Sequence, residues 1–88
     1  MNPPKKVLFE PRAKEEYDWW KENDPKTIER IKTLIKDIKK RPFEGLGKPE
    51  PLKYQKQGYW SRRINKKDRL VYSVTEEAIN VISCKHHY

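Results

Sequence analysis

Cysteine is nearly missing from this chain. Cys84 stands alone among 88 residues, which excludes an internal disulfide and a cysteine-based zinc site. It lies in a strand-like apolar run and reads as a core thiol. Histidine is almost as scarce, and its two copies are adjacent, His86 and His87. Neighbouring residues on a strand point to opposite faces, so the pair makes a poor metal site, and no metal is expected. Long hydrophobic runs are absent too. Nothing is apolar enough for a signal peptide or a membrane span, and the expected location is the cytoplasm. Hydrophobic residues make up only 34% of the chain, against 39% charged, a balance at which disorder must be weighed. It is rejected for most of the length, because Tyr17, Trp19, Trp20, Trp60 and Tyr72, with Phe9, Phe43 and Tyr59, supply enough large apolar surface for a core. Eighty-eight residues make one domain with one modest core, residues 1–88, of which 1–5 read as a loose lead-in. Internal repeats and low-complexity segments are also lacking.

Acidic residues are in deficit, with 13 Asp and Glu against 21 Lys and Arg, a net charge of +8 and a pI of about 9.6. A small, strongly basic domain meets a polyanion. Nucleic acid ranks first, an acidic protein second and an anionic membrane surface third.

What is present falls into two periods. Lys6-Val7-Leu8-Phe9 is short, apolar and β-prone, and predicts a first strand. Pro11 suits the first position of a helix, along which Ala13, Tyr17 and Trp20 recur at helical spacing. Asn23-Asp24-Pro25 ends that helix and starts another, with Asp24 as N-cap. Ile28, Ile31, Leu34, Ile35 and Ile38 form one stripe opposite Glu29, Arg30, Lys32 and Lys36. Lys39-Lys40-Arg41 suits a helix C-terminus, and Pro42 forbids continuation. Phe43 to Pro51 mixes Pro, Gly and charge, and predicts an ordered loop without helix or strand. From Leu52 the period becomes two. Residues 59–64, 69–75 and 79–84 predict three strands joined by tight turns, an antiparallel meander.

The fold class expected is therefore α+β: an antiparallel twisted sheet of four to five strands, with two N-terminal helices packed on one face. The second face stays open to solvent or ligand. Alternation assigns Leu70, Tyr72 and Val74 to the helix side and turns Arg63 and Arg69 toward the open face.

Several side chains could do chemistry. Glu50 is a carboxylate in the Pro-rich loop. Lys53, Arg63 and Arg69 lie on or beside strands, and His87 and Tyr88 close the chain. Such a set suits RNA cleavage without a metal. A base takes the ribose 2′-hydroxyl proton, cations offset the charge on the phosphorane, and an acid protonates the leaving 5′-oxygen. Each residue also has a plainer reading. Glu50 can be loop solvation, Arg62-Arg63 a solvated strand pair, and His-His-Tyr an ordinary tail. The basic outer face of the second helix can hold phosphate or be simply solvated. Spacing alone supports a basic α+β domain that binds RNA and leaves catalysis open.

Longer blocks carry more. Arg41-Pro-Phe-Glu-Gly-Leu-Gly-Lys-Pro-Glu-Pro-Leu-Lys53, Gly58-Tyr-Trp-Ser-Arg-Arg-Ile64, Arg69-Leu-Val-Tyr72 and Cys84-Lys-His-His-Tyr88 resemble the YoeB toxins, a branch of the RelE-like ribonuclease toxins. The likeness runs from about Val7 to Tyr88, in the family's order, and is weakest in the helices. It implies the βααβββ order of that superfamily and the toxin half of a bacterial type II toxin–antitoxin pair. The activity implied is endonuclease cleavage of messenger RNA in the ribosomal A site, without cofactor. The partner implied is a YefM- or Phd-type antitoxin, and family analogy adds a homodimer. By residue match Glu50 is the general base, His87 the general acid and Arg69 the main transition-state cation. Lys53 and Arg63 assist at phosphate, and Tyr88 positions or stacks on the nucleotide. The chain departs from the family at His86, where an aromatic is frequent, leaving a spare imidazole beside the proposed acid. Two other readings stand beside the nuclease: a non-catalytic RNA-binding protein that blocks the ribosome by occupancy, and, ranked last, a DNA-contacting regulatory subunit.

Overall fold

A computed structural model of the chain describes residues 6–53 and 58–86. Its elements follow the order β1 (Lys6–Phe9), α1 (Pro11–Asn23), α2 (Pro25–Lys40), β2 (Glu50–Pro51), β3 (Tyr59–Arg63), β4 (Arg69–Val74) and β5 (Ala78–Ser83). The sheet order is β1-β5-β4-β3-β2. The meander from β2 to β5 is antiparallel. The first strand departs from that pattern. It lies parallel to β5, with Val7 opposite Ile79 and Phe9 opposite Val81, so the sheet is mixed. Two helices separate β1 from the meander, and a parallel neighbour needs a long connection of that kind.

Both helices cover one face. Ala13 and Trp20 of α1 and Ile28, Ile31, Leu34 and Ile38 of α2 form the core with Leu70, Tyr72, Ile79 and Val81. The helical and strand periods therefore meet in one apolar layer, as the alternation of β4 predicts. Asp24 occupies the N-cap of α2, but its carboxylate accepts from the Thr27 hydroxyl at 2.8 Å instead of from a backbone N–H.

Two expectations are corrected. The Pro-rich loop is not strandless, because Glu50 and Pro51 pair with Ser61 and Trp60 as a two-residue edge strand. Pro51 lacks an N–H, and a sheet edge is where proline is tolerated. Arg62 is not part of a solvated pair. It is fully buried on the helix side, and all five of its N–H donors are used. Nε donates to the Tyr72 hydroxyl at 3.1 Å, Nη1 to Asp37 Oδ2 at 2.6 Å and to the Leu46 carbonyl, and Nη2 to the carbonyls of Arg41 and Glu44. Local alternation puts Arg62 inward, but only the carbonyls of a loop some twenty residues upstream make that burial tolerable.

Asp37 is the counter-ion of this network. The Arg41 guanidinium at 2.7 Å holds its carboxyl well below the usual carboxylate range. Burial opposes that shift, and the Leu46 N–H and Arg62 add to it. The loop consequently has a fixed path from α2 to β2. Gly45 belongs to it with φ +111°, and a Cβ there would run into the Asp37 carboxylate.

Candidate active site

The site lies on the sheet face away from the helices, near the ends of β2, β3 and β4. Antiparallel partners share a face, so register decides what meets. Glu50 stands opposite Ser61, and Ser61 opposite Val71. Arg63 stands opposite Arg69. Glu50, Ser61, Arg63 and Arg69 therefore occupy one face of three adjacent strands, and Arg63 and Arg69 turn away from the core as expected.

Arg69 ties the group together. Its Nη1 donates to the Glu50 carboxylate in a direct ion pair and to Ser61 Oγ at 3.2 Å. The Glu50 side chain is 55% exposed and that of Arg69 24%, so a ligand can reach both. Arg63 is exposed, while its backbone is anchored by its N–H to the Gly47 carbonyl and by its carbonyl to Arg30 Nη2. Lys53 is exposed just past β2. This face is not wholly open, since Ser61, Val71 and Ser83 are buried.

The last described residues lie beside β4. A bulge in the β4–β5 ladder sets Val71 opposite Ser83 but Tyr72 opposite Val81. A bulge shifts the alternation by one residue. Ser83 thus joins the face away from the helices, and Cys84 turns into the core, where its thiol touches the Ala13 carbonyl. Burial pushes that thiol up to about 12, so Cys84 is the inert core group expected and no nucleophile. Beyond it, the Arg69 N–H donates to the His86 carbonyl at 2.9 Å, and Asp68 Oδ1 accepts from the His86 N–H at 2.6 Å. His87 and Tyr88, the proposed acid and nucleotide-positioning residue, lie outside the described residues.

Glu50, Arg63 and Arg69 are thus brought together with the backbone that leads into His87. Ser61 was not among the residues singled out, although the pairing of Glu50 with β3 would have pointed to it. Asp68 and the α1 residues that hold the tail had no signal in the sequence beyond a turn and a helix face. Among the described residues no three of His, Cys, Asp and Glu converge as metal ligands would. No described helix is long and apolar enough to cross a membrane.

A family model described as the YoeB-like toxin of bacterial type II toxin–antitoxin systems matches residues 9–88. Toxin YoeB of Synechocystis is 48% identical over 94% of this chain and 96% of its own length. The YoeB dimer of Staphylococcus aureus aligns at 45% identity with a TM-score of 0.90, covering 94% of this chain and 97% of that one. A heterotetrameric YoeB–YefM complex from the same organism contains a chain that aligns at 45% identity with a TM-score of 0.88 over the same shares.

Proposed function

The chain belongs to the YoeB-like toxins of bacterial type II toxin–antitoxin systems, and from that premise we propose that it is a ribosome-dependent endoribonuclease. It cleaves messenger RNA in the A site by general acid–base chemistry without a metal, and so stops translation in the cytoplasm. The observation that carries this reading is the ion pair of Glu50 with Arg69, whose own backbone N–H holds the His86 carbonyl.

The chemistry follows from the groups present. The Glu50 carboxylate takes the proton of a ribose 2′-hydroxyl, and the 2′-oxygen bonds to the adjacent phosphorus. Negative charge builds on the phosphate oxygens, and Arg69 turns from Glu50 to offset it, with Arg63 and Lys53 beside it. A guanidinium can do this through paired N–H bonds to phosphate oxygens. His87 gives a proton to the 5′-oxygen as its bond to phosphorus breaks, and Tyr88 holds the scissile nucleotide by stacking. The products are a 2′,3′-cyclic phosphate and a 5′-hydroxyl. Ser61 keeps the Arg69 side chain lying across the strands.

The YefM that accompanies the S. aureus relative supports a YefM- or Phd-type antitoxin for this chain. The dimer of that relative supports a homodimer.

Primer extension on messenger RNA after induction tests the reading. Discrete new 5′ ends at codons under translation are expected, with cyclic phosphate on the upstream fragments and 5′-hydroxyl on the downstream ones. Upstream fragments ending in 3′-hydroxyl with 5′-phosphate downstream, the products of attack by a metal-activated water, would defeat the mechanism. Translation arrest without new ends would favour occupancy of the ribosome, which the charge of +8 also fits. In either case ribosome binding weakens with salt, by counterion release from phosphates.

A further inference from the structure

We propose that Asp68 is a positioning residue for the general acid His87, acting through the backbone of the residue that precedes it. The inference rests on the reading of His87 as the group that protonates the leaving oxygen.

Asp68 is 5% exposed at the end of the β3–β4 turn. The turn itself uses only part of it. Asn65 Oδ1 accepts from the backbone N–H groups of Lys67 and Asp68, and Asp68 Oδ2 accepts from Asn65 Nδ2 at 3.1 Å. Oδ1 is left over, and it accepts from the His86 N–H at 2.6 Å. A short turn has no need of a chain end 18 residues away. The neighbouring residue completes the grip, because the Arg69 N–H donates to the His86 carbonyl at 2.9 Å. Both backbone groups of His86 are therefore held by two consecutive residues, one of which is the proposed transition-state cation.

The two residues before His86 are held as well. The Cys84 N–H donates to Glu16 Oε1 and its carbonyl accepts from Trp20 Nε1, each at 2.8 Å. The Lys85 ammonium lies 3.8 Å from the centre of the Trp19 ring. His86 has φ +67°, a left-handed conformation that a side chain disfavours. Such a conformation persists where its surroundings over-determine it, and here the two-sided grip does so. His87 follows His86 directly in the chain, so the grip acts on the residue to which the acid is bonded. A displacement of about 1 Å in a catalytic group can cost about a hundredfold in rate. One turn thereby holds both the cation and the residue bonded to the acid.

The test uses the leaving group. In the proposed step the 2′-oxygen–phosphorus bond forms and the phosphorus–5′-oxygen bond breaks. The 2′-hydroxyl proton goes to Glu50, and the 5′-oxygen takes its proton from His87. Sulfur in place of that bridging oxygen leaves as a thiolate and needs no acid. The cut linkage is first mapped on ribosomes programmed with an ordinary synthetic messenger RNA, and the same linkage is then made with a 5′-bridging sulfur. Single-turnover cleavage by the full-length Asp68→Ala protein should fall about 10- to 100-fold on the ordinary linkage, and hardly at all on the sulfur linkage. Asp68→Asn, which keeps an oxygen for the His86 N–H, should recover most of the rate. Where the Ala variant does not fold, Asp68→Glu moves the carboxyl outward by one methylene, and its ordinary-to-sulfur rate ratio should fall likewise. No loss on the ordinary linkage, or equal loss on both, overturns the proposal. His87→Gln separates the two layers. If sulfur does not restore its cleavage, the acid assignment fails and this inference with it. If sulfur restores His87→Gln but not Asp68→Ala, only the role of Asp68 is lost.

Discussion

Arg62 and Arg69 sit on adjacent strands and face opposite ways. Arg62, opposite Leu70 on the helix side, spends every donor on the protein. Arg69, opposite Arg63 on the other face, holds a solvent-exposed carboxylate and a buried hydroxyl through one nitrogen. The same side chain thus serves two ends. A guanidinium whose donors all meet fixed carbonyls and a buried carboxylate organises a loop and has nothing left for a ligand. One whose partner is an exposed carboxylate can exchange it for a phosphate. The first kind of arginine shapes the path that brings Glu50 to the sheet, and the second uses what arrives there.

Breaking the buried member should have the largest effect. Arg62→Ala takes the buried cation from Asp37 and leaves three loop carbonyls without their donor, and removing one partner of a buried pair costs about 3–5 kcal/mol, a large part of the stability of a domain this small. Urea unfolding should show this as a large drop in midpoint. Arg62→Lys, which keeps the charge but not the fork, should be intermediate. A midpoint unchanged by Arg62→Ala would sink the contrast.

Arg69→Ala should leave the unfolding midpoint nearly unchanged and lower single-turnover cleavage by about 10²–10³. Glu50→Ala and His87→Gln, each removing one proton transfer, should cost about 10²–10⁴ with ribosome binding little altered. Filter binding beside cleavage separates Arg69, which should lower both, from the other two.

Gly45→Ala sharpens the comparison from the loop side. It forces a side chain into a left-handed position against Asp37, and overpacking of this kind costs about 1–3 kcal/mol. Its cleavage by folded protein should fall less than its stability.

Acid should separate the two regions most gently. The folded Asp37 carboxyl titrates below its unfolded counterpart, whose value is about 3.9. Its stabilisation is therefore complete above that pH and lost as pH falls toward the folded value. Unfolding free energy should be flat from neutrality to about pH 5 and decline below about pH 4. Asp37→Asn should start lower at neutral pH and decline less steeply.

Most of the fold was legible in residue order. The stripe of α2, the Leu70-Tyr72-Val74 face and the turns at Asn65–Asp68 and Glu76–Glu77 are local patterns, and local patterns report local periods. The parallel seat of β1 was not legible, because nothing in four residues says which distant strand they will join. The pairing of Glu50 was hidden for the same reason. A proline-flanked carboxylate in a loop looks the same whether or not it reaches a sheet edge. Arg62 looked like half of a surface pair because the carbonyls that satisfy it belong to another segment. The tail's chemistry was visible in residue types, whereas its anchorage to Glu16, Trp20 and Asp68 was not.

The order of residues by itself determined the α+β class, the faces of α2 and β4, the positive charge and the stock of carboxylate, guanidinium and imidazole groups. Periodicity and side-chain chemistry are properties of neighbours along the chain. Tertiary structure alone decided that Arg62 is a buried strut, that Glu50 pairs with Arg69, and that Asp68 and Arg69 receive the backbone of His86. Those outcomes depend on strand register and on the burial of polar groups, and both arise only when distant segments compete for the same partners.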